Sequence, residues 1–358
     1  MSDVANGYES FVGAGDSNKA CDDDTVIAGG TANVIDSGNG TNATAAFIGA
    51  GGSNDIGGSS LYSAIVAGYE NGVSAGFAFI GGGNNNTIGS AAQQGVLVGG
   101  AYNTVSGQYA SVGSGRNNTA SGVGASIAAG GYNTASGQGA VIGGGFNSTA
   151  SGGYATIPGG YVNSAAGLYS FAAGARASAP FIGDFVVSDG SDGDAILAAT
   201  KAYQFLARAS GGVTFWTNAG STVGATLAPG SGTWASASDR NLKTDVAAVN
   251  DASVLDKVDA LPISRWSYKS ERGVRHVGPM AQDFYAAFKV GEDNTHITSI
   301  DEDGVALAAI KALHADNRAL HARVGALGTQ NAELSTANAG LRARVAALEA
   351  SERGRDAR

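Results

Sequence analysis

The chain has 358 residues, 57 of them glycine, with 14% charged residues and a formal net charge of −9. Glycine at about twice ordinary usage but without a three-residue period excludes collagen. The 43% of hydrophobic residues recurs in register, which argues against disorder, and the acidic balance leaves no basic footprint for nucleic acid.

Residues 1–180 hold nine acids against Lys19, Arg116 and Arg176, so this half is acidic by itself. Cys21 is the only cysteine, so no internal disulfide can form. The opening Met1-Ser2-Asp3-Val4 lacks the basic and apolar regions of a signal peptide, and no run approaches the length of a transmembrane helix. The expectation is synthesis in the cytoplasm without a signal peptide, and no membrane span.

After a short N-terminal segment (1–7), too short to dock onto a baseplate, residues 8–180 form a repeat array. From Asn103 the period is 15: Asn103, Asn118, Asn133, Ser148, Asn163, each followed by Thr or Ser. Gly107, Gly122, Gly137, Gly152 and Gly167 close the units, and Val112, Ile127, Ile142 and Ile157 are their apolar anchors. Each unit reads as one short strand, such as Tyr109-Ala110-Ser111-Val112-Gly113, and a Gly/Asn/Ser turn. A single unit cannot bury its apolar face, so the units must stack into a solenoid. Asn and Gly are expected at positive φ, and stacked Asn side chains can form a ladder. Anchors this small suggest a thin coil that gains from wrapping against identical copies, hence a trimer. Gly49-Ala50-Gly51-Gly52 is not followed by a strand–loop–helix unit and does not read as a nucleotide loop.

The phrases Asn118-Thr119-Ala120-Ser121-Gly122 and Ala140-Val141-Ile142-Gly143-Gly144-Gly145 resemble the left-handed β-roll heads of trimeric autotransporter adhesins; phage-type fibres carry similar repeats. The resemblance implies a mainly β fold: a trimeric left-handed parallel β-roll.

Residues 181–237 read as a β-rich connector. Phe181–Val187, Ala202–Ala207 and Gly212–Trp216 alternate as strands do, and Pro229-Gly230 marks a turn. Its aromatic side chains suggest a compact element that ends the solenoid and covers its open edge, the alternative being a ligand platform.

From 238 to 309 the character is that of a small α+β domain. Val254–Val258 reads as a helix, Pro262–Tyr268 as a strand, and His276–Phe284 as the approach to a second helix. From Ile310 a heptad runs to 352, before a short tail (353–358). Leu313, Leu320, Leu327, Leu334, Leu341 and Leu348 fill d, with Asn317, Asn331 and Asn338 among the a residues. Ile310 to Leu348 would extend roughly 58 Å as helix. Three Asn at a would by themselves slightly favour two strands; the β-roll favours three.

Ser238 and Asp239 read, on residue types alone, as the cap of a helix or turn. A Ser–Lys pair five residues apart is common by chance, and lysine serves as a base only where burial lowers its pKa. The four histidines, His276, His296, His314 and His321, have no metal-ligand spacing. No carboxylate pair in the array suggests glycoside hydrolysis. No cofactor is expected.

Taken together, Ser238-Asp239-x-x-Leu242-Lys243, the Trp266/Tyr268 strand, the His276–Asp283 segment and Asp303–Ile310 resemble the intramolecular chaperone domain of endosialidase tailspikes and other phage tail fibres. That resemblance implies a homotrimer and self-cleavage between Ala237 and Ser238. Ser238 would be the nucleophile and Lys243 the base, desolvated at the trimer interface, with Asp239 orienting the lysine or the water. It also implies a fibre that binds a cell-surface glycan or protein receptor and sits on a virion, a phage tail or a contractile-particle baseplate. The alternatives are a bacterial surface adhesin that keeps its chaperone, and a tailspike that degrades polysaccharide.

Overall fold

The computed structural model describes residues 2–38 and 43–356; Met1 and the end of the expected tail lie outside the described residues. The chain divides into two compact units, Met1–Ser238 and Asp239–Arg358.

The first unit is a parallel β-solenoid. Two sheets run its length, a first of 13 strands that begins at Val4–Ala5 and a second of 14 that begins at Phe11–Val12. Most strands are two residues long, and each turn of chain supplies one strand to each sheet. A 15-residue unit therefore carries two strands, not one. Thr119–Ala120 pairs with Thr104–Val105 and Thr134–Ala135 in the first sheet, and Ser126–Ile127 pairs with Ser111–Val112 and Val141–Ile142 in the second. The Asn-Thr phrase looked like a turn because a two-residue strand is too short to show alternation.

In both sheets the second strand residue points inward. The core is thus a double file, Val105, Ala120, Ala135 and Ala150 facing Val112, Ile127, Ile142 and Ile157, all fully buried. Alanine against isoleucine narrows the turns from Ala120 to Ala150, whereas earlier turns set Ile35, Ile56 and Ile88 against Ile48, Ile65 and Leu97.

The asparagines form the expected ladder, at 0% exposure for Asn103, Asn118 and Asn133. Asn118 donates its backbone N–H to Asn103 Oδ1 at 3.0 Å, and its own Oδ1 accepts from the Asn133 N–H at 3.1 Å. Its Nδ2 donates to Gly130 O at 2.9 Å. The ladder starts at Asp3, whose Oδ1 accepts from both the backbone and the side-chain amide of Asn18.

Positive φ does not fall on the ladder residues. It falls on the residue before each of them, including Tyr102, Asn117, Tyr132 and Asn147, and again at the other corner, as at Tyr109 and Tyr154. The ladder asparagine is held in an ordinary conformation so that its amide can point inward, and the corner turns one residue earlier. Glycine is required at Gly115, where φ is 101° and a Cβ would lie 2.0 Å from Gly130 O.

Both sheets run on past residue 180. Phe185–Ser188 and Phe205–Arg208 extend the second, and Leu197–Ala198 extends the first. Phe171, Phe185 and Phe205 stack at 4.3 and 5.3 Å along this stretch. A three-stranded antiparallel sheet follows, Val213–Trp216, Gly224–Leu227 and Trp234–Ser236. Phe215, Trp216 and Trp234 remain more than half exposed.

The second unit contains helix α1 (Asp251–Ala260), the antiparallel pair Ser264–Trp266 and His276–Gly278, helix α2 (Ala281–Phe288) and helix α3 (Ser299–Asp356). At 58 residues, α3 starts well before Ile310. Ala308, Ala309 and Ala312 are buried on α3 near its start, and Lys311 Nζ reaches Asp251 Oδ2 of α1 at 2.7 Å. Beyond that anchor the six d leucines are 51–65% exposed on the single chain.

Candidate cleavage site and chaperone segment

Ala237 is still held by the antiparallel sheet. Strand Trp234–Ser236 pairs with Gly224–Leu227, and the Ala237 N–H donates to Gly224 O at 3.1 Å. Ser238 follows in extended chain and is the last residue of the first compact unit. The bond between Ala237 and Ser238 therefore lies one residue before the division between the units.

Asp239 opens the second unit and caps a single 3-10 turn, Arg240–Leu242. Its Oδ1 accepts from the Asn241 backbone N–H at 2.9 Å and from Asn241 Nδ2 at 3.0 Å. Lys243 closes the turn, donating its N–H to Arg240 O at 3.2 Å, and returns to extended backbone. The turn compresses the five-residue spacing between Ser238 and Lys243. Ala237, Ser238, Asp239 and Lys243 are all exposed on the single chain. Asn241 was not singled out from the sequence; an Asp two residues ahead of an Asn is the signal for this cap.

Downstream, Trp266 and His276 are direct cross-strand partners, with rings stacked at 4.6 Å, and Tyr268 meets both edge-on. Trp266 Nε1 and His276 Nε2 are buried with no hydrogen-bond partner among the described residues. Phe284 is the buried residue of α2 and packs on Phe288 at 4.9 Å. A cavity of about 470 Å³ lies between α1 and α3, lined by Val254, Phe288, Ile300, Val305 and Ala308. Aromatic side chains on the 264–278 hairpin, an anchored helix pair and a long exposed leucine stripe make a unit that is only half closed by its own chain.

Residues 238–290 match the family model described as the chaperone of endosialidase. That segment is a chaperone-of-endosialidase domain. No curated protein matches the chain. The domain begins at Ser238, at the end of the solenoid-bearing unit. A parallel solenoid followed by this domain and a long helix fits a tail-fibre-like protein with a C-terminal intramolecular chaperone, and the family implies a homotrimer. Among the described residues no helix is long and apolar enough to cross a membrane.

Proposed function

We propose that the chain is a trimeric fibre subunit that binds a cell surface, on a virion or tail-like particle, and that its chaperone-of-endosialidase domain removes itself once the trimer has formed. The observation that carries this reading is the coincidence at Ser238 of the family match and the end of the first compact unit.

In the proposed reaction Lys243 Nζ takes the proton of the Ser238 hydroxyl, and Ser238 Oγ attacks the carbonyl carbon of Ala237. The C–N bond to Ser238 breaks, its nitrogen takes up a proton, and Ala237 becomes an ester of the Ser238 side chain. Water then hydrolyses the ester, leaving a carboxylate on Ala237 and a free amine on Ser238. In this reading Asp239, which caps the turn, orients the lysine or the water. Exposure of Lys243 on the single chain makes cleavage conditional on neighbouring chains, because a lysine acts as a base only after desolvation. The reaction happens once per chain and is maturation, not turnover.

Intact mass under denaturing conditions tests this. Wild-type protein should separate into species ending at Ala237 and starting at Ser238, and Ser238→Ala should stay whole. Uncut wild-type chain in a fully assembled trimer would eliminate the cleavage. Glycan-array binding by the 1–237 species tests the receptor role.

A further inference from the structure

We infer that the outward face of the second solenoid sheet is the surface by which three copies of this chain meet along the fibre. The inference rests on the trimeric reading above and adds which face the copies share.

The two sheets present opposite chemistries. On the second sheet the outward strand positions stay in register from Phe11 to Phe205, passing Phe47, Phe79, Val96, Val141 and Phe185. The next outward position, two residues on, is glycine, alanine, valine or proline in every turn from Gly13 to Ala207. Neither column contains an Asp, Glu, Lys, Arg, Asn or Gln. On the first sheet the equivalent columns carry Lys19, Asp36, Asp55, Thr104 and Ser121. Depletion of charge is what marks the centre of an interface, whereas scattered apolar residues are normal on any surface.

Shape supports the same face. The rings of Phe11, Phe47 and Phe79 lie over Gly13, Gly49 and Gly81, each Cε1 3.3–3.5 Å from where a glycine Cβ would be. The phenyl groups are thus folded down along the strand, and the face stays low enough for another backbone to approach. Thirteen registered rungs at a spacing of about 4.8 Å make a strip about 58 Å long. At roughly 12 Å wide it offers about 700 Å², shared between two neighbours, so three copies together would cover about 2,100 Å², in the range of stable assemblies. The occupant is a second and third copy of the chain. In a parallel arrangement about a threefold axis each rung meets its own equivalents, so a charge-free column of Phe, Val and Ala, interrupted only by Ser111, Ser126 and Thr156, needs no partner of different sequence.

The test is site-specific cross-linking of the full chain in a Cys21→Ser background. Val96→Cys and Val141→Cys sit on the second sheet, Thr104→Cys and Thr134→Cys on the first. With a short bis-maleimide, which joins two single-cysteine chains at most, the valine-site variants should give dimers on a denaturing gel, and the threonine-site variants only monomers. Two sites per face guard against a single variant that misfolds. Cross-links at the threonine sites, or none at the valine sites in protein that sediments as a trimer, would overturn the assignment. Sedimentation as a monomer would overturn the trimeric reading with it. Valine-site cross-links in uncut protein would leave the face standing and remove only the cleavage.

Discussion

A ladder asparagine carries more of the fold than its size suggests. Asn118 accepts the Asn133 N–H and donates to Asn103, Ser114 and Gly130, all in a fully buried position. A leucine of similar volume would leave several buried backbone groups unmet, at about 1–3 kcal/mol each. Serine is a milder change, because Ser148 already holds one rung: its N–H donates to Asn133 Oδ1, and its Oγ accepts from the Asn163 N–H at 3.2 Å. Asn118→Leu should therefore destabilise the solenoid by about 3–5 kcal/mol and Asn118→Ser by about 1–2 kcal/mol, read as unfolding midpoints in denaturant. Equal effects would mean that the ladder is packing and not hydrogen bonding. Asp55 offers a pH-dependent counterpart. The sheet surface strips part of its hydration and Asp36 adds a like charge, so its pKa is raised. A carboxyl with a raised folded pKa costs nothing below its unfolded pKa, near 3.9; the cost grows as pH rises from there towards the folded value and is complete above it. Asp55→Asn should raise the thermal midpoint at pH 7 and leave it unchanged well below pH 4. A benefit that persists in acid would refute the electrostatic cause.

Helix α3 is the element least explained by its own chain. Its leucines recur every seven residues from Leu313 to Leu348 and stay exposed, so their burial must come from copies. A buried leucine is worth about 1.5–3 kcal/mol, and a carboxylate in its place is worse. Leu327→Asp should therefore leave chains that sediment below the trimer and that, under the proposed assembly-dependent cleavage, keep their full mass. Cleaved monomers would break that link. The α1–α3 contact is the complementary case, formed within one chain by Ala308, Ala309 and the Lys311–Asp251 pair. These elements also mark what was legible in the sequence. A heptad of leucines and a 15-residue period are long-range signals, and both gave the right architecture. A two-residue strand gives no period of its own, so the sequence of Thr119–Ala120 is indistinguishable from part of a turn. The continuation of the solenoid through Phe205–Arg208 was hidden because the 15-residue spacing lapses after Asn163, while inward and outward alternation persists. At the candidate site the residue types gave Ser238 and Lys243, but the Asn241 cap and the Trp266–His276 pairing depend on local geometry that spacing does not encode.

The d leucines of α3 and the charge-free outward columns of the second solenoid sheet are surfaces whose burial neighbouring copies would complete. Folding such a chain is a problem of order: every solenoid turn pairs with residues 14–21 positions away, and the copies must then align in register. A C-terminal domain that gathers three chains first shortens the search that the non-local pairing must make. If that domain is cut away as proposed, the solenoid trimer would keep its contacts but lose the route by which it formed, and its persistence would be set by the unfolding rate. Denaturing and diluting two proteins side by side tests this. Ser238→Ala, with its chaperone attached, should recover its trimer and its far-ultraviolet β signal, while the mature 1–237 species should aggregate or stay unfolded. Recovery of the 1–237 trimer to the same yield and rate would mean that the solenoid holds its own folding instructions and that the C-terminal third serves another purpose.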